Sequence, residues 1–511
     1  MRRRTRWLRR GLTLVAAAAA AAAPLALAPA AGGQAPAPEV LDSRLAVSAA
    51  ASGLNQPISI AFLGRDDMLV LERASGQVKR IVRGELRDVV LDLPVNSASE
   101  RGLLGIALHP RVRTNGWVYL FWSQSRSGVD SADLADVRLM GNRIDRFEWN
   151  GERLEFDRNI IKFRAFQRDD TNRDPVTGVV ILRGNHDGGV IRFGPDGKLY
   201  AIVGDTGRRG HTQNLLDGPF GPGIDDDQFG GPETDDAHRT GVIVRLDEDG
   251  DAPRDNPFWR TGRSMGGEVG ENLQKLFAYG IRNSFGMAFD PRSGHLWEQE
   301  NGDDSFSELN RVPPGLNSGW IQIMGPASRV AQFKAIETDP TRPQPFTPNG
   351  YFGLQQSRWP PNNIADTPAE ALARLVMFPG ARFKDPELSW KFEVAPGGIG
   401  FLDSRRLGRE YRGDLFMAGA RDLLEGGHLF RIELTGDRRS VDTDDPRLND
   451  RVADNVNKWE ITESESLLFG RNFGVGTDVQ TGPDGHLYVV SLSKGAVFEI
   501  APRQEEDDDD D

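Results

Sequence analysis

Residues 185–205 read NHDGGVIRFGPDGKLYAIVGD: an apolar strand, a Pro-Asp-Gly turn and a second apolar strand. That unit recurs. Segments 57–62 and 68–73, 102–110 and 117–122, 286–291 and 295–297, 398–402 and 414–418, and 478–485 and 487–490 repeat the pairing of apolar strands across turns rich in Pro, Asp and Gly. Third strands follow at 77–81, 428–434 and 496–500. One such unit cannot bury both of its faces, so neighbours must stack, and radial stacking closes the set while leaving few open edges. Six cassettes therefore predict an all-β chain folded as a six-bladed β-propeller with long inserted loops. The largest insertions are 207–239 and 323–386, where strand periodicity is lost.

Composition narrows the chemistry. With no cysteine in 511 residues, disulfides, thiolate zinc sites and thiol nucleophiles are excluded. A formal net charge of -13 argues against a nucleic-acid partner, which would need basic surface. Residues 1–30 read as a signal peptide: the arginine-rich MRRRTRWLRRG, an alanine-rich apolar run, and small residues suited to cleavage. That run is short and flanked by Pro24 and Pro29, so no stable membrane span is expected after cleavage. The expected location is secreted or periplasmic, by the general secretory or the twin-arginine route. Residues 31–44 read as linker, 45–502 as the propeller and 503–511 as a disordered acidic tail.

Against the repeat, a few residues stand out. His186 heads its cassette and Asp205 ends it, so both belong to strand ends on one face of the propeller. An aspartate accepting from the imidazole fixes the ring's tautomer and raises its basicity, which makes His186 a candidate general base. A lone histidine is more often a turn-capping residue. Arg282 and Asn283 stand just before a cassette strand, where a fixed guanidinium could stabilise developing negative charge; by itself it reads as a structural ion-pair residue. The stretch 298–308, EQENGDDSFSE, is rich in oxygen ligands around a glycine and suits calcium by composition, though not by EF-hand spacing.

Taken in order, these segments resemble the soluble glucose/sorbosone dehydrogenases that use pyrroloquinoline quinone (PQQ). The resemblance runs from about Leu45 to Ile500. It rests on 71–76 (LERASG), 102–110 (GLLGIALHP), the His186 cassette, 245–250 (RLDEDG) with 255–258 (DNPF), 280–283 (GIRN), 308–310 (ELN) with 317–320 (NSGW), and 482–485 (GPDG). It implies a six-bladed propeller in which His186 removes the anomeric hydroxyl proton of a sugar, Asp205 orients it, and hydride passes to the quinone. It implies further that Arg282 and Asn283 contact the quinone and that calcium is held partly by the carbonyls of Gly302 and Asp303. Glu100 stands where the family has a cofactor-contacting glutamine, Arg421 where it has a lysine, and Trp390 offers a stacking surface. The two arginines that hold the cofactor carboxylates are missing from 474–477 (GVGT), with Arg471 as the nearest substitute. The implied activity is dehydrogenation of an aldose or related polyol with an unknown electron acceptor. A non-enzymatic ligand- or protein-binding propeller and a calcium-dependent lactonase-type hydrolase are the alternatives, since the fold hosts all three.

Overall fold

Apolar side chains fall on both faces of most cassette strands, so each strand needs a packing partner on either side. The computed structural model meets that need as a β-propeller. It describes residues 36–165, 184–206, 214, 239–339, 364–420 and 426–504. Residues Ala35–Asp511 form one compact unit.

The described strands assort into six sheets. The first runs Pro57–Gly64, Asp67–Glu72, Gln77–Val82, Glu85–Asp92, and the second Leu103–Leu108, Trp117–Ser125, Val137–Trp149, Leu154–Phe163. The third runs Ile191–Phe193, Leu199–Val203, Val242–Leu246, Leu276–Tyr279, with Leu316–Asn317 and Arg382–Phe383 added in parallel. The fourth holds Gly286–Phe289, Leu296–Glu300, Ser305–Val312, Leu388–Phe392 and a parallel Val452–Ala453. The fifth is built on Pro396–Phe401, Leu415–Gly419, His428–Leu434 and Leu468–Arg471. In the sixth, the early strand Leu45–Ala51 pairs antiparallel with Ala496–Pro502, beside Leu487–Ser491 and Gly476–Thr481. That pairing ties the two ends of the propeller's chain together and removes an open edge.

Period-two alternation places the core between sheets. Leu69 and Leu71 pack with Ile106, Val118 and Leu120 of the second sheet, while Met68 and Val70 pack with Tyr488, Val490 and Val497 of the sixth. Five blades are recognised where the cassettes predict six. The sheets are uneven: the third opens on a three-residue strand, and two sheets carry parallel additions.

Two other expectations change. Glu39–Val40, in the stretch expected as linker, pairs as a strand with Arg471 and Gly470. The insertion at 323–386 contains helices Val330–Thr338 and Pro368–Arg374. The second starts at a side-chain cap: Thr367 Oγ1 accepts from the Glu370 N–H at 3.2 Å, Glu370 Oε2 reaches back to accept from the Asp366 N–H at 2.9 Å, and proline stands in the first turn. The first insertion, apart from Asn214 and Arg239, lies outside the described residues, as do residues 1–30 and most of the acidic tail. Among the described residues no helix is long and apolar enough to cross a membrane.

Candidate functional site

Strand starts and returns at one end of the third and fourth sheets bring the site together. His186 is buried and has a φ of 59°, a left-handed conformation uncommon outside glycine. Its backbone is held there, because its N–H donates to Glu100 Oε2 at 2.6 Å. Its Nδ1 lies 2.5 Å from Asp205 Oδ1. The other Asp205 oxygen accepts from Trp320 Nε1 at 2.8 Å, so this carboxylate is fixed at both oxygens.

Gly204 explains how His186 and Arg282 come so close. The Asp205 N–H donates to the Arg282 carbonyl at 2.8 Å. A Cβ at residue 204 would lie 2.6 Å from the His186 carbonyl and 2.7 Å from that of Arg282, so only glycine fits. The Arg282 guanidinium donates to the Asn301 carbonyl at 2.7 Å, lies 3.5 Å from Asp303 Oδ1, and sits 5.5 Å from the Trp320 ring centre. Asn283 donates weakly to Glu100 at 3.3 Å, and its carbonyl accepts from the Asn301 N–H.

Buried carboxyl groups surround this cluster. Burial pushes Asp187 up to about 7, against the opposing pull of Arg101 and a hydrogen bond from Asn142. Burial likewise raises Glu393 to about 7, opposed by Lys458 and Arg282. Behind Arg282, Glu298, Glu300 and Glu308 share one face of the fourth sheet; burial raises all three, Glu298 to about 8 and Glu308 to about 7, with repulsion from the neighbouring glutamates adding to it at Glu298 and Glu300 and from Asp385 at Glu308.

Of the residues singled out in sequence, the structure brings together Glu100, His186, Asp205, Arg282, Asn283, Gly302 and Asp303. It leaves Trp390 out. That tryptophan lies on Leu388–Phe392, an outer strand of the fourth sheet, wholly buried against the fifth, with Nε1 donating to Ser464 Oγ at 3.0 Å. It is a core residue and offers no open stacking face. Arg471 does not turn inward either, since its Nε pairs with Glu39 at 2.5 Å on the surface. Arg421 lies outside the described residues. Trp320 carries no motif signal of its own; the Asn-Ser-Gly-Trp run was the only pointer to it.

Two groups implied by the resemblance can be tested against these side chains. At the reacting edge a quinone fits: Asn185 Nδ2 and Asn283 Oδ1 are buried and have no hydrogen-bond partner among the described residues, and Arg282 stands beside them. Calcium does not fit as the corner is arranged. The Asp303 carbonyl accepts from Lys458 Nζ at 2.9 Å, and the same ammonium pairs with Asp304 Oδ1 at 2.7 Å. A cation therefore already stands on one of the two expected carbonyl ligands.

A fixed imidazole, an aspartate held at both oxygens and an oriented guanidinium are equipped for proton abstraction next to developing negative charge. Fold and site together define a propeller oxidoreductase. The chain belongs to the glucose/sorbosone dehydrogenase family, whose model matches residues 54–352. It is 26% identical to the aldose sugar dehydrogenase YliI of Escherichia coli over 453 residues, covering 88% of this chain and 91% of that one. It is 27% identical to quinoprotein glucose dehydrogenase B of Acinetobacter calcoaceticus over 281 residues, 54% of this chain and 52% of the other. The PQQ-bound aldose sugar dehydrogenase of Streptomyces coelicolor shares the fold, with a TM-score of 0.51 at 22% identity, covering 91% of this chain and all of that one.

Proposed function

We propose that this protein is a secreted or periplasmic quinoprotein dehydrogenase that oxidises the anomeric carbon of an aldose, or a related polyol, with PQQ as its cofactor. The observation that carries the reading is the buried His186–Asp205 pair at 2.5 Å, with Trp320 on the far carboxylate oxygen and Arg282 alongside. The quinoprotein and aldose-dehydrogenase relatives support the cofactor and substrate class, and the arginine-rich, alanine-rich N-terminus supports export. We read the ring as six-bladed, in support of which each sheet packs on the next and the sixth packs on the first.

The roles follow from the geometry. With Nδ1 donating to Asp205, the ring lone pair lies on Nε2, which accepts the proton of the substrate hydroxyl. Asp205 stabilises the imidazolium that forms, and the indole N–H keeps that carboxylate from rotating away. Asn185 Nδ2 would donate to a carbonyl oxygen of the quinone, Asn283 Oδ1 would accept only from an N–H or O–H of a bound ligand, and Arg282 sets positive charge beside them. When bound, the quinone supplies the two-electron acceptor for the hydride that leaves the sugar carbon. Near-complete burial of His186 and Asp205 keeps bulk water from competing for the proton.

The test is to load the purified mature chain with PQQ, measure binding by the change in cofactor absorbance, and follow dye-linked oxidation across an aldose panel. Saturable binding with sugar-dependent dye reduction supports the reading. Absence of binding at micromolar cofactor overturns it.

A further inference from the structure

Lys458 reaches the site from a part of the chain that no motif marks. It lies 154 residues beyond Asp304, yet its ammonium donates to both the Asp303 carbonyl and the Asp304 carboxylate. The pair is almost buried, with side chains 11% and 2% exposed.

Neither partner is loosely placed. On one side, Glu337 Oε1 accepts from the backbone N–H groups of Asp304 and Ser305, at 2.9 and 3.0 Å, and from the Ser305 hydroxyl. On the other, Asn455 ties down the loop that carries Lys458, accepting from the Phe392 N–H and donating to the carbonyls of Phe392, Asn457 and Glu460. The Trp459 N–H donates to the Glu393 carbonyl at 2.8 Å. The ammonium is thus delivered to the carbonyl–carboxylate notch by two independently braced loops.

A calcium ion takes six to eight oxygens and would need this carbonyl free of competing positive charge. At hydrogen-bond distance from the same oxygen, Lys458 opposes a divalent ion both by taking up one of that oxygen's two lone pairs and by like-charge repulsion. We infer that Lys458 is the built-in cation of this corner, standing where a divalent metal would otherwise bind at Asp303, so that the protein holds its site without calcium. What that charge does for the quinone rests on the dehydrogenase reading. The metal preference does not, and it is measured without quinone.

The experiment is calcium titration of the metal-stripped mature chain by calorimetry and by thermal unfolding, in the wild type, Lys458→Met, Lys458→Arg and Asp304→Asn. The wild type and Lys458→Arg are expected to show no calcium binding that Asp304→Asn removes and no shift in Tm between calcium and chelator. Lys458→Met, which keeps the stem and removes the charge, is expected to gain calcium affinity by at least about tenfold, since an uncompensated acidic notch remains. If that variant does not fold, Lys458→Gln in calcium is the substitute, with the same expectation. Wild-type calcium binding that Asp304→Asn abolishes, or uncharged variants that bind no better than the wild type, would overturn the inference. A quinone-binding failure in the loading experiment leaves these outcomes untouched, so the two ideas fail separately.

Discussion

The third and sixth cassettes are built on the same frame and differ where it matters. In both, the Gly-Pro-Asp-Gly turn closes with the same bonds: the first glycine N–H donates to the carbonyl of Lys198 or His486 at 2.9 Å, and the aspartate accepts from the N–H of that same residue and from the tyrosine hydroxyl, Tyr200 or Tyr488. Counting back from that turn, His186 in the third cassette falls where Gly474 stands in the sixth, and both are left-handed, with φ of 59° and 71°. Asp205 falls where the sixth has Ser493, which accepts from the Val475 N–H. The scaffold therefore supplies a left-handed position facing a strand end. The third cassette fills it with an imidazole and a carboxylate where the sixth has glycine and serine.

A second contrast lies within the histidines. His486 Nδ1 also lies 2.5 Å from a carboxylate, that of Glu499, but at the opposite end of its blade and with both side chains about a quarter exposed. Distance alone makes neither pair reactive. His186 differs in its burial, in the indole that fixes its aspartate, and in the guanidinium beside it.

The largest expected effect breaks the first comparison. Replacing His186 with alanine should lower the sugar oxidation rate by about 10²–10⁴, the usual worth of a positioned base, while His486→Ala should stay within about twofold. Equal losses in steady-state kinetics of the two variants would remove the distinction. Asp205→Ser, which installs the sixth cassette's residue, should lower kcat by about tenfold or more with a smaller change in KM, because it loses a charge-assisted bond of roughly 1.5–3 kcal/mol. Trp320→Phe should act in the same direction and more weakly, by about threefold to tenfold in kcat for one neutral donor to a carboxylate. A Trp320 variant that changed only KM would show that the indole serves substrate binding and does not position the aspartate.

The smallest effect is on stability. Glu298, Glu300 and Glu308 have folded-state values raised above those of the unfolded chain, so the folded state binds more protons between them. Their contribution is fully present below about pH 4.5 and is lost as pH rises through about 7–8. Thermal unfolding should therefore give a lower Tm at pH 8.5 than at pH 6, and Glu298→Gln should flatten that slope. An unchanged slope in the variant would place the pH dependence elsewhere.

Much of this was legible in the sequence because the relevant forces are local. Alternation and turn chemistry fix the strands, and an unrepeated histidine with a terminal Gly-Asp marks the site within twenty-one residues. Family order then picks out Arg282 and Asn283. What was not legible depends on contacts distant in sequence. Trp320 reaches Asp205 across 115 residues, and Lys458 reaches Asp304 across 154. Trp390 misled for the converse reason: its position in sequence does not reveal that its strand is an outer one, where an indole serves the core between sheets. The helix beginning at Pro368 does carry a local signal, since Thr-Pro-Ala-Glu has the spacing of a capped helix start.

The most direct measurement of the central claim is single-turnover reduction of PQQ by an aldose in the wild type and in His186→Asn, with quinone affinity measured in both. The account predicts affinities within about threefold of each other and a reduction rate at least about a hundredfold slower in the variant. A variant that reduces bound quinone at the wild-type rate, or a wild type that binds quinone and never passes sugar electrons to it, would contradict the account.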